Sequence, residues 1–80
     1  MTILTAVVEQ LYARAFGPNV ARDPRSRQYR EGVHAALSNR IAAAPFAPPY
    51  SMGTVDADAW FAGWDEGVRL SREYGGEVPA

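Results

Sequence analysis

Proline placement constrains this 80-residue chain more than any other feature. Inside a helix, proline removes a hydrogen bond and clashes with the preceding turn. Five of the six prolines stand at Pro18, Pro24, Pro45, Pro48 and Pro49. They leave three stretches free of proline, and each repeats its apolar residues at helical spacing. In the first, Leu4, Val7, Val8, Leu11, Tyr12, Ala15 and Phe16 form the i, i+3, i+4, i+7 stripe of one helix face. A helix is predicted over about residues 3–16, capped by Thr2 or Thr5 and stopped by Gly17 and Pro18. The second is predicted over about 24–43. Asp23 is its N-cap, Pro24 its first residue, and its stripe is Tyr29, Val33, Ala36, Leu37, Ile41 and Ala44. Pro45 excludes helical geometry from the residue before it and ends the helix there, unless Ser38 and Asn39 end it a turn earlier.

The third helix is predicted over about 57–74, with Asp56 as N-cap, Asp58 in the first turn, and Trp60, Phe61, Trp64, Val68 and Leu70 as large apolar residues. Gly75 and Gly76 stop it. Between the second and third helices, residues 45–55 combine three prolines with Phe46, Tyr50, Met52 and Val55. That mixture predicts an ordered connector whose side chains pack. Nothing alternates with the period of a strand. The fold class expected is all-α: a single domain over residues 1–80, three helices around one small core.

The chain has no cysteine, which excludes disulfides, thiolate zinc sites and cysteine nucleophiles. Its N-terminus lacks the basic leader and cleavage site of a signal peptide, and no run approaches the roughly 20 apolar residues of a membrane span. A cytoplasmic location without membrane attachment is expected. His34, the single histidine, has Arg30 and Ser38 as helical neighbours, and neither is a good metal ligand. Asp65 and Glu66 diverge by about 100° on a helix, too far for a shared acid–base pair. No catalytic set, metal site or cofactor is expected, and the chain is not read as an enzyme.

Charge is distributed in blocks. The formal net charge is −1, yet residues 22–40 carry +3 and residues 56–66 carry −4. All eight basic residues are arginine. A GC-rich coding bias is the favoured reading, ahead of selection for bidentate anion recognition. Arg22, Arg25, Arg27 and Arg30 crowd the start of the second helix, where cations oppose the positive end of the helix dipole. Either Asp23, Glu31 and the acids of the third helix offset them, or an acidic or phosphate-bearing partner does. Asp56, Asp58, Asp65 and Glu66 form the second candidate contact surface. With both signs on one small molecule, free nucleic acid is expected to bind weakly or not at all.

Tyr29-Arg30-Glu31-Gly32-Val33 and Trp64-Asp65-Glu66-Gly67-Val68 share the pattern aromatic-x-Glu-Gly-Val. Glycine inside a helix costs roughly 1 kcal/mol relative to alanine, so Gly32, Gly63 and Gly67 are read as places where a neighbouring helix comes close. Trp60 and Trp64, four apart on one face, are either core or an aromatic binding anchor. Trp64 is expected to be substantially buried against the second helix or the connector.

Tyr29 to Leu37, Pro49-Tyr50 and the run Ala59-Trp60-Phe61-Ala62-Gly63-Trp64-Asp65-Glu66-Gly67, above all Trp60-x-x-Gly63-Trp64, resemble the ribosome modulation factor family over about Arg27 to Arg69. The resemblance implies a helix–connector–helix unit that docks on a large nucleoprotein. Two features depart from it: a pI near 5.7 where that family is strongly basic, and an additional amphipathic N-terminal helix. These departures lead to the first functional expectation, an inhibitor of the anti-CRISPR kind encoded by phages. Its acids would cover the basic channel of an RNA-guided complex and block target DNA binding, its partner being a protein subunit. A ribosome-associated modulator is the alternative, and a homo-oligomeric adaptor built on the first helix is another. Monomer and homodimer are both compatible with the sequence.

Overall fold

The computed structural model describes residues 3–16 and 26–75, which form three α-helices and, among the described residues, no strand. Helix α1 runs Ile3–Phe16, α2 runs Arg27–Ala42 and α3 runs Val55–Gly75. The expected stop at Gly17 and Pro18, the cap at Asp23 and Pro24, and Gly76 lie outside the described residues.

Both later helices begin at hydroxyl caps rather than at the aspartates expected. Ser26 caps α2 in extended geometry, its Oγ accepting the Tyr29 N–H at 3.1 Å. Thr54 caps α3: its Oγ1 accepts the Ala57 N–H at 3.1 Å, while its carbonyl takes the Asp58 N–H. Asp56 is therefore inside the first turn, with Asp58, where both suit the helix dipole. At the other end of α2, Ala43 turns left-handed at φ 59°, and the amide of Asn39 donates to the Ala44 carbonyl at 2.8 Å.

The contacts between α2 and α3 advance together along both helices, from Gln28 with Asp56 through Gly32 with Trp60 to Ala36 with Gly67. The two helices thus run in the same direction, and the chain must return to the start of α2 before α3 begins. A 16-residue helix is about 24 Å long. The twelve residues 43–54 reach about 40 Å when extended, so an extended, proline-stiffened connector spans the return with chain to spare.

Glycines set how close the two helices come. A methyl group on Gly32 would overlap the carbonyl oxygen of Trp60, and one on Gly63 would overlap that of Tyr29. At Gly67 it would lie 2.6 Å from both the Val33 carbonyl and the Ala36 methyl. The two seam contacts deepest in the backbone therefore join Tyr29-x-x-Gly32 to Trp60-x-x-Gly63. All three glycines read from the sequence as places of close approach lie on this seam.

Helix α2 is central. Its Gly32 and Ala36 face α3, while Val33, Leu37 and Ile41 join Val8 and Leu11 of α1 in the core cluster. Trp60 and Ala57 bury the opposite side of the seam. His34 ties α1 to α2 at the surface. Its Nε2 lies 2.7 Å from the Glu9 carboxylate, its ring stands edge-on to Tyr12 at 5.1 Å, and Ser38 Oγ is 3.4 Å from Nδ1.

Candidate docking surface

One edge of the α2–α3 unit is built of rings. Trp60 is 2% exposed and forms its floor. Trp64 stacks on it at 5.3 Å, Phe61 meets it edge-on at 5.1 Å, and Phe46 of the connector lies 4.9 Å from Trp64 in a T-shaped arrangement. Trp64 packs against the connector, one of the two partners expected for it, and is partly rather than fully buried. Full burial falls on Trp60, which sits against the glycine turn of α2, whereas Trp64 is half-buried and its lateral contact is with the connector. Phe46 is 53% exposed, so the ring cluster has a core side and a solvent side. Isolated exposed apolar residues are ordinary on a protein surface; Phe46, Phe61 and Trp64 are contiguous.

Helical spacing places two carboxylates beside these rings. Asp58 precedes Phe61 by three residues and Asp65 follows it by four, so all three share a face. Both aspartates are exposed, and neither is ion-paired among the described residues. The arginine one turn beyond Asp65 is already engaged: Arg69 is gripped by Glu66 and Glu73, which hold its guanidinium well above its ordinary range, the Glu66 hydrogen bond being the main cause. Asp56 lies apart from this face and accepts a hydrogen bond from Gln28 at 3.1 Å.

The arginine cluster is divided. Arg22 and Arg25 lie outside the described residues. Arg27 is exposed and pairs with Glu31 at 3.2 Å, and Arg30 is half-buried beside Gly32. Glu31 also accepts the Tyr50 hydroxyl at 2.8 Å, which latches the connector onto α2. That hydrogen bond to a carboxylate raises the Tyr50 phenol above its ordinary range, since ionisation would place two anions together. The Arg27–Glu31 and Arg69–Glu66 pairs each lie within one helix, and Gln28 bonds Asp56.

Phe46 and Phe61 complete a surface that sequence reasoning treated only as apolar content. The available signal was Phe46 following Pro45: a large ring in a connector has to pack on something, but only the parallel course of the helices shows on what. The Glu9–His34 contact joins residues 25 positions apart and left no local mark. Among the described residues no group of three or more His, Cys, Asp or Glu is placed to hold a metal ion, and no helix is long and apolar enough to cross a membrane. A further feature is a groove of about 420 Å³ between α1 and α3, lined by Leu11, Arg14, Ala15, Leu70, Glu73 and Tyr74.

The model of the ribosome modulation factor family matches residues 18–72, more than half of the chain. It takes in α2, the connector and nearly all of α3, and it leaves α1 outside. No curated protein and no solved structure matches. The match overturns the first functional expectation. The departures in pI and in the additional helix do not support an inhibitor of the anti-CRISPR kind acting on an RNA-guided complex, because the family matched is that of the ribosome modulation factor.

Proposed function

Because the chain belongs to the ribosome modulation factor family, we propose that it is a ribosome-associated modulator, non-enzymatic and cytoplasmic, whose α2–connector–α3 unit is the docking body. The observation that carries this reading is the coincidence of the matched residues with one structural unit: the glycine seam, the Tyr50–Glu31 latch and the aromatic edge all fall within 18–72. Docking by a rigid body suits an assembly of fixed shape, since little is left to order on binding.

On this reading Arg27 and Arg30 of α2, with Arg22 and Arg25 that precede the helix in the sequence, meet ribosomal RNA phosphate. Four phosphate contacts give a salt slope of about −3 to −4 on logarithmic axes, or roughly a 100-fold loss of affinity between 50 and 200 mM salt. A net charge of −1 supplies no further long-range attraction, so naked RNA binds weakly and the affinity depends on protein contacts as well.

Sedimentation of the tagged chain with ribosomes of its own host through a sucrose gradient tests this directly. The chain is expected to travel with ribosomal particles at low salt and to be released as salt rises. A chain that stays at the top of the gradient at every salt concentration would refute the reading.

A further inference from the structure

The ring edge carries charge of the wrong sign for RNA. Phosphate approaching Phe46, Phe61 and Trp64 meets Asp58 and Asp65 on the same face, and their nearest helical counter-ion, Arg69, is held by Glu66 and Glu73. Aromatic faces beside uncompensated carboxylates have the opposite preference. A guanidinium stacks on the rings through its plane and forks onto a carboxylate through paired N–H donors, which an ammonium cannot do.

We infer that the surface formed by Phe46, Phe61, Trp64, Asp58 and Asp65 binds an arginine-bearing, extended segment of a protein partner. The spacing narrows the segment further. Asp58 and Asp65 are seven residues apart, about 10 Å along α3. A polyproline-type strand rises about 3.1 Å per residue with three residues per turn, so two arginines in the pattern Arg-x-x-Arg project from the same side about 9 Å apart. That pattern places one guanidinium on each aspartate with the rings between them. The half-exposed ring of Phe46, fixed by Trp64 and the connector, gives the segment a preformed apolar floor. The inference rests on the ribosomal reading for where such a partner is met, and its chemistry stands on the surface alone.

The test is a titration of the full chain with the peptide Arg-Pro-Pro-Arg-Pro-Pro-Arg, followed by tryptophan fluorescence, which reports from the ring cluster itself. A control peptide carries glutamine for arginine, and a single-stranded RNA oligomer is titrated in parallel. The arginine peptide is expected to bind at least tenfold more tightly than either. Asp58→Asn with Asp65→Asn is expected to weaken it tenfold or more with unchanged helicity, and Phe46→Ala to weaken it without abolishing the salt dependence. Equal affinity for the two peptides, tighter binding of the RNA, or an unaffected aspartate double variant would each overturn the inference. The sucrose gradient separates the two readings. If the wild-type chain sediments with ribosomes while the peptide fails to bind, this surface assignment falls and ribosome association stands. If the peptide binds as expected but the chain never sediments, the ribosomal reading falls and the arginine surface stands.

Discussion

Gly63→Ala is expected to leave the chain unfolded or severely destabilised, although the change adds a single methyl group to an exposed-sounding alanine- and glycine-containing helix. At that position the methyl overlaps the Tyr29 carbonyl, which is backbone and cannot rotate away. Relief requires α2 and α3 to separate along the whole seam, and that would unseat Trp60 and Ala57. A cost above about 3 kcal/mol is a large part of the roughly 4 to 12 kcal/mol expected for a domain of this size. Gly32→Ala, which overlaps the Trp60 carbonyl, should behave alike. Gly53→Ala is the control. Nothing lies within 4 Å of its added methyl, and its φ of +83° limits the cost to about 1–2 kcal/mol. Chemical denaturation of the three variants checks the expectation; equal midpoints for Gly63→Ala and Gly53→Ala would show that the seam is not as close as described.

The second large effect belongs to Trp60. Removing a fully buried tryptophan costs about 3 to 5 kcal/mol through lost transfer energy and the cavity left behind. Trp60→Ala should therefore lower the melting temperature by more than 10 °C, given about 4–8 °C per kcal/mol for domains of this length. Trp64→Ala should cost less than half as much, because one side of that ring is already in water and Phe46 can settle into the gap. Thermal melts by circular dichroism distinguish the two. Were Trp64→Ala the more damaging, the assignment of core and surface along α3 would be reversed.

How far the sequence discloses this fold differs from element to element, for physical reasons. The helices are legible because proline and the 3.6-residue stripe act locally, and α1 is expected and found over Ile3–Phe16. The start of α2 is less so. Ser26 and Asp23 are both good capping residues by type, and no local rule ranks the serine ahead of the aspartate, yet Ser26 is the cap. The spaced glycines announce a close approach, but not its register: three glycines and three aromatic residues on two helices allow several pairings, and tertiary contact selects Tyr29 with Gly63 and Gly32 with Trp60. The docking surface is the least legible part. Asp58, Asp65 and Trp64 stand out as residues, but their union with Phe46 depends on a connector that returns along parallel helices. No local pattern records that direction.

Charge led the functional reading astray for a related reason. Net charge and pI sum over the whole chain, whereas a docking surface responds to what lies within a Debye length of about 8 to 10 Å. An acidic pI is compatible with a basic edge on α2 and an acidic, aromatic edge on α3, each presented to a different component of one assembly.

A cryo-electron-microscopy map of host ribosomes incubated with the full chain tests this account most directly. It predicts density for α2, the connector and α3 against the ribosome, with the arginine end of α2 on RNA and the Phe46–Trp64 edge on a protein segment, and α1 outside the main contact. Density that docks through α1 alone, or ribosomes that carry no density for the chain at saturating concentration, would contradict it.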